Sequence, residues 1–244
     1  MEQRLKDRIA VVIGATGGIG KAIVERFVAE GATVLATGSS GGQDALSGPM
    51  VHPYACDLSD RDAPQRVADH CRSQFGRADI LVNNAGISIG SHLVHETSLE
   101  DWDRLMAVNL RGVFLGMKAF LPMMLEARHG VIVNMGSTSA YRGTPGIGAY
   151  CASKAGVIQL TQVAALDYAE DGIRVNAVCP GTVQSPMLDK QTPERLASLR
   201  ARIPMGRFAS TGDVAALTAF LASEEASYIT GQGYLLDGGR FAGG

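Results

Sequence analysis

The chain has 244 residues, 46% of them hydrophobic, and 22 Lys plus Arg against 24 Asp plus Glu leave a net charge of −2. That balance argues against nucleic acid or an anionic membrane as the main partner, and the sequence shows no apolar run of the length a membrane span needs. The N-terminal Met1–Lys6 has no apolar signal core, and Cys56, Cys71, Cys151 and Cys179 lack paired spacing, which suits reduced thiols and a cytoplasmic chain.

Short β-branched runs alternate with longer helical ones. Arg8–Ile13 reads as a buried strand, followed by a glycine loop and a helix near Gly18–Glu30 that Gly31 stops. Thr33–Thr37 and Met50–Ala55 read as strands, Arg61–Phe75 as a helix, and Ile80–Val82 as a strand. Ser98 has the character of an N-cap, with Asp101 three residues on, for a long helix. Val131–Val133 and Val175–Val178 are further strands with a helix between them. Asp213–Leu221 is a helix with Ser210 as its cap, and Tyr234–Leu236 is the last strand. Alternation of this kind predicts an α/β fold: a doubly wound, mostly parallel sheet of about seven strands, helices on both faces, in one domain spanning 1–244. The least regular stretch, Pro180–Phe208, holds four prolines, and its part from 184 to 208 is the candidate lid over a substrate.

The first strand runs into Gly14-Ala15-Thr16-Gly17-Gly18-Ile19-Gly20 and then a helix. Glycines there allow a tight turn and close approach of backbone to a pyrophosphate, and the helix N-terminus offers free N–H groups and a positive dipole end. After the second strand, Gly38-Ser39-Ser40 carries no carboxylate before Asp44. Nothing there repels a 2′-phosphate, Ser39 and Ser40 could donate to one, and no Arg or Lys is present to neutralise it. The reading favours NADP(H) over NAD(H).

Tyr150 and Lys154 lie four positions apart, on one face of a helix and about 5–6 Å apart at Cβ. A phenol is a poor base at neutral pH, and a neighbouring ammonium together with a cationic cofactor ring favours its ionised form. Cys151 beside it has no His close in sequence to act as a nucleophile's base. His92 and His95 lack a third ligand, so no metal is expected.

With these pieces placed, the chain resembles the short-chain dehydrogenase/reductase family, in its short single-domain branch, from about Lys6 to Gly239. The resemblance rests on the glycine loop, on Asp79–Gly86 with its Asn83-Asn84-Ala85-Gly86, on Val108-Asn109-Leu110, on Ser137 thirteen positions before Tyr150, on the Tyr150/Lys154 pair, and on Pro180-Gly181-Thr182-Val183. It implies hydride transfer between a nicotinamide and a carbonyl or secondary alcohol. Tyr150 would be the general acid/base, Lys154 would lower its pKa and hold the nicotinamide ribose, Ser137 would polarise the carbonyl, and Asn109 would anchor a water. Asp57 and Leu58 would meet the adenine, and Asn84, Ala85, Gly86, Pro180, Gly181, Val183 and Ser185 would line the rest of the cofactor. Ile13 stands where the family usually has Thr, which removes a hydroxyl that would tie the loop to Asn83–Gly86.

Ser139, Arg142, Gln184 and Met187 are the candidate substrate contacts. Arg142 would suit an anionic substrate, and Arg195, Arg200 and Arg202 would suit a phosphopantetheine, as in a 3-oxoacyl-(acyl carrier protein) reductase. A sugar or hydroxy-acid dehydrogenase and a non-catalytic dinucleotide sensor stay open. The resemblance also implies a homotetramer, with helices near 102–127 and 149–169 at a shared interface.

Overall fold

Parallel strands in the order β3-β2-β1-β4-β5-β6-β7 make one sheet in the computed structural model, which describes residues 3–39, 46–184, 188 and 192–242. In chain order the strands are β1 (Ile9–Ile13), β2 (Thr33–Gly38), β3 (Val51–Ala55), β4 (Ile80–Asn83), β5 (Gly130–Met135), β6 (Ile173–Pro180) and β7 (Gly233–Leu236). The helices are α1 (Gly18–Ala29), α2 (Ala63–Phe75), α3 (Leu99–Met106), α4 (Gly112–Ala127), α5 (Gly148–Tyr168), α6 (Pro193–Arg200) and α7 (Thr211–Ala222). The order reverses between β1 and β4, so the crevice at their carboxyl ends is where a ligand binds in such a sheet.

Side-chain alternation builds both layers of core. Val11, Ile13, Leu81 and Ile132 point to the face covered by α2, α4 and α5, where Val67, Phe120 and Val157 meet them. Ala10, Val12, Val82 and Val133 point to the other face, covered by Ile23, Val24 and Phe27 of α1 and by Val214, Ala215 and Ala219 of α7. All of these side chains are buried, as expected for strands covered on both sides.

The local signals behave as the sequence predicts. Ser98 Oγ accepts from the N–H of Asp101 at 3.1 Å, and Ser210 and Asp213 form a reciprocal capping box at the start of α7. The long helix after Ser98 departs from expectation: it is interrupted by a π turn over Ala107–Arg111. The continuous helical run Leu99–Ala127 is also long and apolar enough to cross a membrane by length and composition, contrary to the reading of the sequence. More than half of its most apolar window is buried within the protein, and α4 lies against the sheet through Val113, Phe120 and Met124.

Candidate active site

The glycine loop is tied down by the segment after β4. The backbone N–H groups of Asn84 and Ala85 both donate to Ile13 O at 2.9 Å, and Asn84 Nδ2 donates to Gly14 O at 2.6 Å. These bonds do what a Thr hydroxyl at position 13 would do, so the Ile13 departure leaves the loop fixed. Gly14 has φ +87°, and a Cβ there would lie 2.5 Å from Ala85 N; no other residue fits. Gly17 caps α1 with no side-chain hydrogen bond, so the first N–H groups of the helix are left for an anion.

Two cavities flank this loop. One, of about 520 Å³, is lined by Gly14, Thr16, Gly17, Gly38, Ser39, Asp57, Leu58, Asn84, Ala85 and Gly86. The other, of about 550 Å³, is lined by Gly17, Gly18, Ile19, Gly20, Ser137, Tyr150, Lys154, Pro180, Gly181, Val183 and Gln184. The residue set fits an extended dinucleotide: hydroxyls and a carboxylate at one end, unfilled helix N–H groups in the middle, and a Tyr/Lys pair at the other end. Ser40, Ser185 and Met187 lie outside the described residues. Arg104 also lines the first cavity. It comes from α3, far in sequence from β2, and supplies a cation that the reading of Gly38–Ser40 did not find.

Tyr150 and Lys154 sit on the first turns of α5, and Lys154 Nζ is 5.8 Å from the Tyr150 ring centre. Lys154 is buried and donates to Met135 O at 2.7 Å. Burial lowers its pKa to about 8. Burial also raises the Tyr150 pKa above the ordinary phenol value, while a hydrogen bond with Ser137 pulls it back down. Within the protein alone, then, Ser137 rather than Lys154 is the neighbour that lowers the Tyr150 pKa.

Asn109 lies on the π turn and is fully buried. Its Oδ1 accepts from Ile87 N at 2.8 Å, and its Nδ2 donates to Ile87 O at 3.0 Å and to Ser153 Oγ at 3.4 Å. Both the Asn109 Oδ1 and Lys154 Nζ face Gly86, each 3.5 Å from where a Cβ would stand. π turns of this kind are frequent at functional sites.

A third cavity, of about 800 Å³, opens on the far side of Tyr150. Ser139 and Arg142, two of the candidate substrate contacts, line it together with Arg202, Asp237, Arg240 and Phe241. Gln184 instead lines the neighbouring 550 Å³ cavity. The C-terminal residues carry a legible turn signal in Asp237-Gly238-Gly239, and Asp237 Oδ1 accepts from Gly239 N at 3.0 Å. Nothing local says that the turn returns the chain to the site. Ser137, Tyr150 and Gly181 are the residues that line both this cavity and the 550 Å³ one.

The family model that matches residues 14–240 is described as enoyl-(acyl carrier protein) reductase. A 3-oxoacyl-[acyl-carrier-protein] reductase of Thermotoga maritima is 42% identical over 244 residues, covering 97% of this chain and 98% of that protein. The chain belongs to the short-chain dehydrogenase/reductase family. The 2-(R)-hydroxypropyl-CoM dehydrogenase of Xanthobacter autotrophicus is 41% identical, over 95% of this chain and 97% of that protein. The ligand-free aldohexose dehydrogenase of Thermoplasma acidophilum superposes with a TM-score of 0.91 at 36% identity, over 99% and 97% of the two chains. As a short-chain dehydrogenase/reductase, this protein is an NAD(P)-dependent oxidoreductase that interconverts a carbonyl and a secondary alcohol by hydride transfer.

Proposed function

We propose that Tyr150, Ser137, Lys154 and Asn109 carry the reaction, with Tyr150 as the general acid/base. The observation behind this is the border position of Ser137 and Tyr150, which line both the cavity at the glycine loop and the 800 Å³ cavity beyond it. A carbonyl held at that border reaches two hydroxyls at once. The nicotinamide, when bound, gives or accepts hydride. In reduction the Tyr150 hydroxyl delivers its proton to the nascent alkoxide, and in oxidation the phenolate takes the alcohol proton. Ser137 Oγ donates to the same oxygen, where negative charge builds up. Lys154 keeps a positive charge beneath Tyr150 and reaches toward the ribose. Asn109 fixes the Ile87 backbone and keeps one Oδ1 lone pair for a water.

Absorbance of the reduced nicotinamide at turnover tests this reading. Tyr150→Phe should lose about 10²–10⁴-fold in kcat and still bind cofactor. Near-wild-type turnover by a folded Phe variant would remove Tyr150 from the role.

NADP(H) is the proposed cofactor. Ser39 and Arg104 line the adenosine-side cavity, Ser40 follows in sequence, and the residues Gly38-Ser39-Ser40 carry no carboxylate. A small-molecule carbonyl or alcohol is the substrate, with 3-oxoacyl thioesters first among the compounds to test because of the Thermotoga relative, then 2-hydroxypropyl compounds because of the CoM dehydrogenase and sugars because of the aldohexose dehydrogenase, with hydroxy acids beside them. Leu99, Phe114, Val163 and Leu166 are exposed apolar side chains on α3, α4 and α5, and they support a homotetramer built on those helices. The four free cysteines support a cytoplasmic setting, and the net charge of −2 supports neither nucleic acid nor membrane as partner.

A further inference from the structure

The 800 Å³ cavity beyond Tyr150 carries an unbalanced charge. Arg142, Arg202 and Arg240 line it, and Asp237 is the acidic residue among its walls. That carboxylate is already engaged: Oδ1 accepts from Gly239 N at 3.0 Å and Oδ2 from Phe241 N at 2.7 Å. Other arginines of the region are occupied. Arg200 lies over the Phe208 ring at 5.1 Å, and Arg207 pairs with Asp213 at 2.7 Å. Arg142, Arg202 and Arg240 have no side-chain hydrogen bond or ion pair among the described residues, although Arg240 is only partly exposed. The three come from separate parts of the chain: the loop before α5, the turn after α6 and the C-terminal turn after β7. Such convergence on one cavity is not a solvated helix face.

We infer that the substrate is a ketone or secondary alcohol carrying an anionic group, a carboxylate or a phosphate monoester, which Arg142, Arg202 and Arg240 grip while its carbonyl oxygen rests between Ser137 and Tyr150. This rests on the proposed reaction at Tyr150 and adds its substrate class. Guanidinium forks match the planar or tetrahedral oxygens of such groups and bind them by charge-assisted hydrogen bonds. Three cations against one engaged carboxylate also raise the local concentration of anionic substrate at low salt.

Matched substrates test the inference. Levulinate would be compared with methyl levulinate, and hydroxyacetone phosphate with hydroxyacetone, by kcat/KM in wild type and in Arg142→Ala/Arg240→Ala. The expected result is at least a tenfold preference for the charged member of one pair in wild type. That preference should drop at least tenfold in the double variant and shrink with added salt. The pair that shows it tells carboxylate from phosphate. Calorimetry with succinate and with methyl phosphate gives a readout independent of turnover: at least one should bind wild type and bind the double variant at least tenfold more weakly. Equal use of charged and neutral members, or equal loss of both in the variant, overturns the anion assignment. So does failure of both anions to bind. Turnover of the neutral ketones that Tyr150→Phe abolishes leaves the proposed role of Tyr150 standing in that case, whereas anion binding with turnover that Tyr150→Phe does not change removes Tyr150 from its role and keeps the pocket.

Discussion

Lys154 Nζ stands 2.7 Å from the carbonyl oxygen of Met135, the last residue of β5. The contact holds a buried ammonium at the strand end, beneath the Tyr150 ring, with a backbone dipole as its hydrogen-bond partner. Burying the charge is the dominant effect, so its pKa falls to about 8 from 10.5. Between those pH values the unfolded chain keeps a proton that the folded chain has released, so this residue's contribution to stability rises with pH across that window. Below pH 8 the cost of the buried charge is fully present. Lys154→Met should therefore stabilise the protein at pH 7, by an amount on the order of 1–3 kcal/mol, while removing most activity. Thermal melts at pH 7 and pH 10 check this: the stabilisation should be larger at pH 7.

The same group should set an alkaline limb on carbonyl reduction in the proposed reaction. As pH rises past about 8, Lys154 loses its charge and kcat/KM for reduction should fall. Lys154→Arg keeps the charge and should move the limb to higher pH, whatever its effect on the plateau. A limb that stays in place in the Arg variant would belong to another group.

Ser137 is the neighbour whose hydrogen bond lowers the Tyr150 pKa against the effect of burial, so in the proposed reaction it would act on Tyr150 as well as on the substrate oxygen. Ser137→Ala should cost about 10²–10³ in kcat, and it should push the pH at which alcohol oxidation gains its phenolate upward. Oxidation rates of a secondary alcohol from pH 6 to 10, for wild type and variant, show both effects. A loss in kcat with an unmoved profile would confine Ser137 to the substrate.

Asn84 holds the glycine loop through its 2.6 Å bond to Gly14 O, in place of a hydroxyl at position 13. Asn84→Ala should destabilise the fold by about 1–2 kcal/mol and weaken cofactor binding several-fold. Ile13→Thr in that background should recover part of the cofactor affinity. Cofactor titrations by fluorescence decide it, and no recovery would mean that position 13 cannot reach the loop.

The proposed preference for NADP(H) has a steric side at Gly38. A Cβ at Gly38 would lie 2.5 Å from Thr16 Cγ2 and 2.8 Å from its Oγ1. Gly38→Asp, which would place a carboxylate near the ribose hydroxyls, should therefore weaken both NADPH and NADH. Only with Thr16→Ala should it turn the preference toward NADH. The ratio of kcat/KM for the two cofactors in the three variants tests this.

Much of this molecule was legible from its amino acids. Alternating apolar strands and glycine punctuation placed the seven strands within a few residues, because the inner strands are buried on both faces and their composition says so, while the half-exposed edge strands β3 and β7 are marked by the turns around them. The Ser98 and Ser210 caps were readable since capping is a contact within one turn. Tyr150 and Lys154 were readable because their spacing is itself the geometry. Arg104, Arg240 and Asp237 were not read as site residues, since each reaches its cavity only after the chain has folded back. The Lys154–Met135 bond was hidden for the same reason: its acceptor is a backbone atom nineteen residues away, which no residue type announces. The π turn left no mark either, since Ala107–Arg111 reads as ordinary helix.

That π turn has a consequence for how this chain tolerates change. It sits between a surface helix that exposes Leu99 and Trp102 and a core helix that buries Phe120 and Met124. A π turn closes on the fifth residue along where an α-helix closes on the fourth, so Ala107–Arg111 carries one residue more than the α turns on either side of it need. Deleting one residue there would let the run close as plain α-helix and keep the flanking faces in phase, but Asn109 would lose its register with Ile87. The segment stores a spare residue between an outer surface and an inner one, and in variant libraries a one-residue gap there should spare the fold and cost the site.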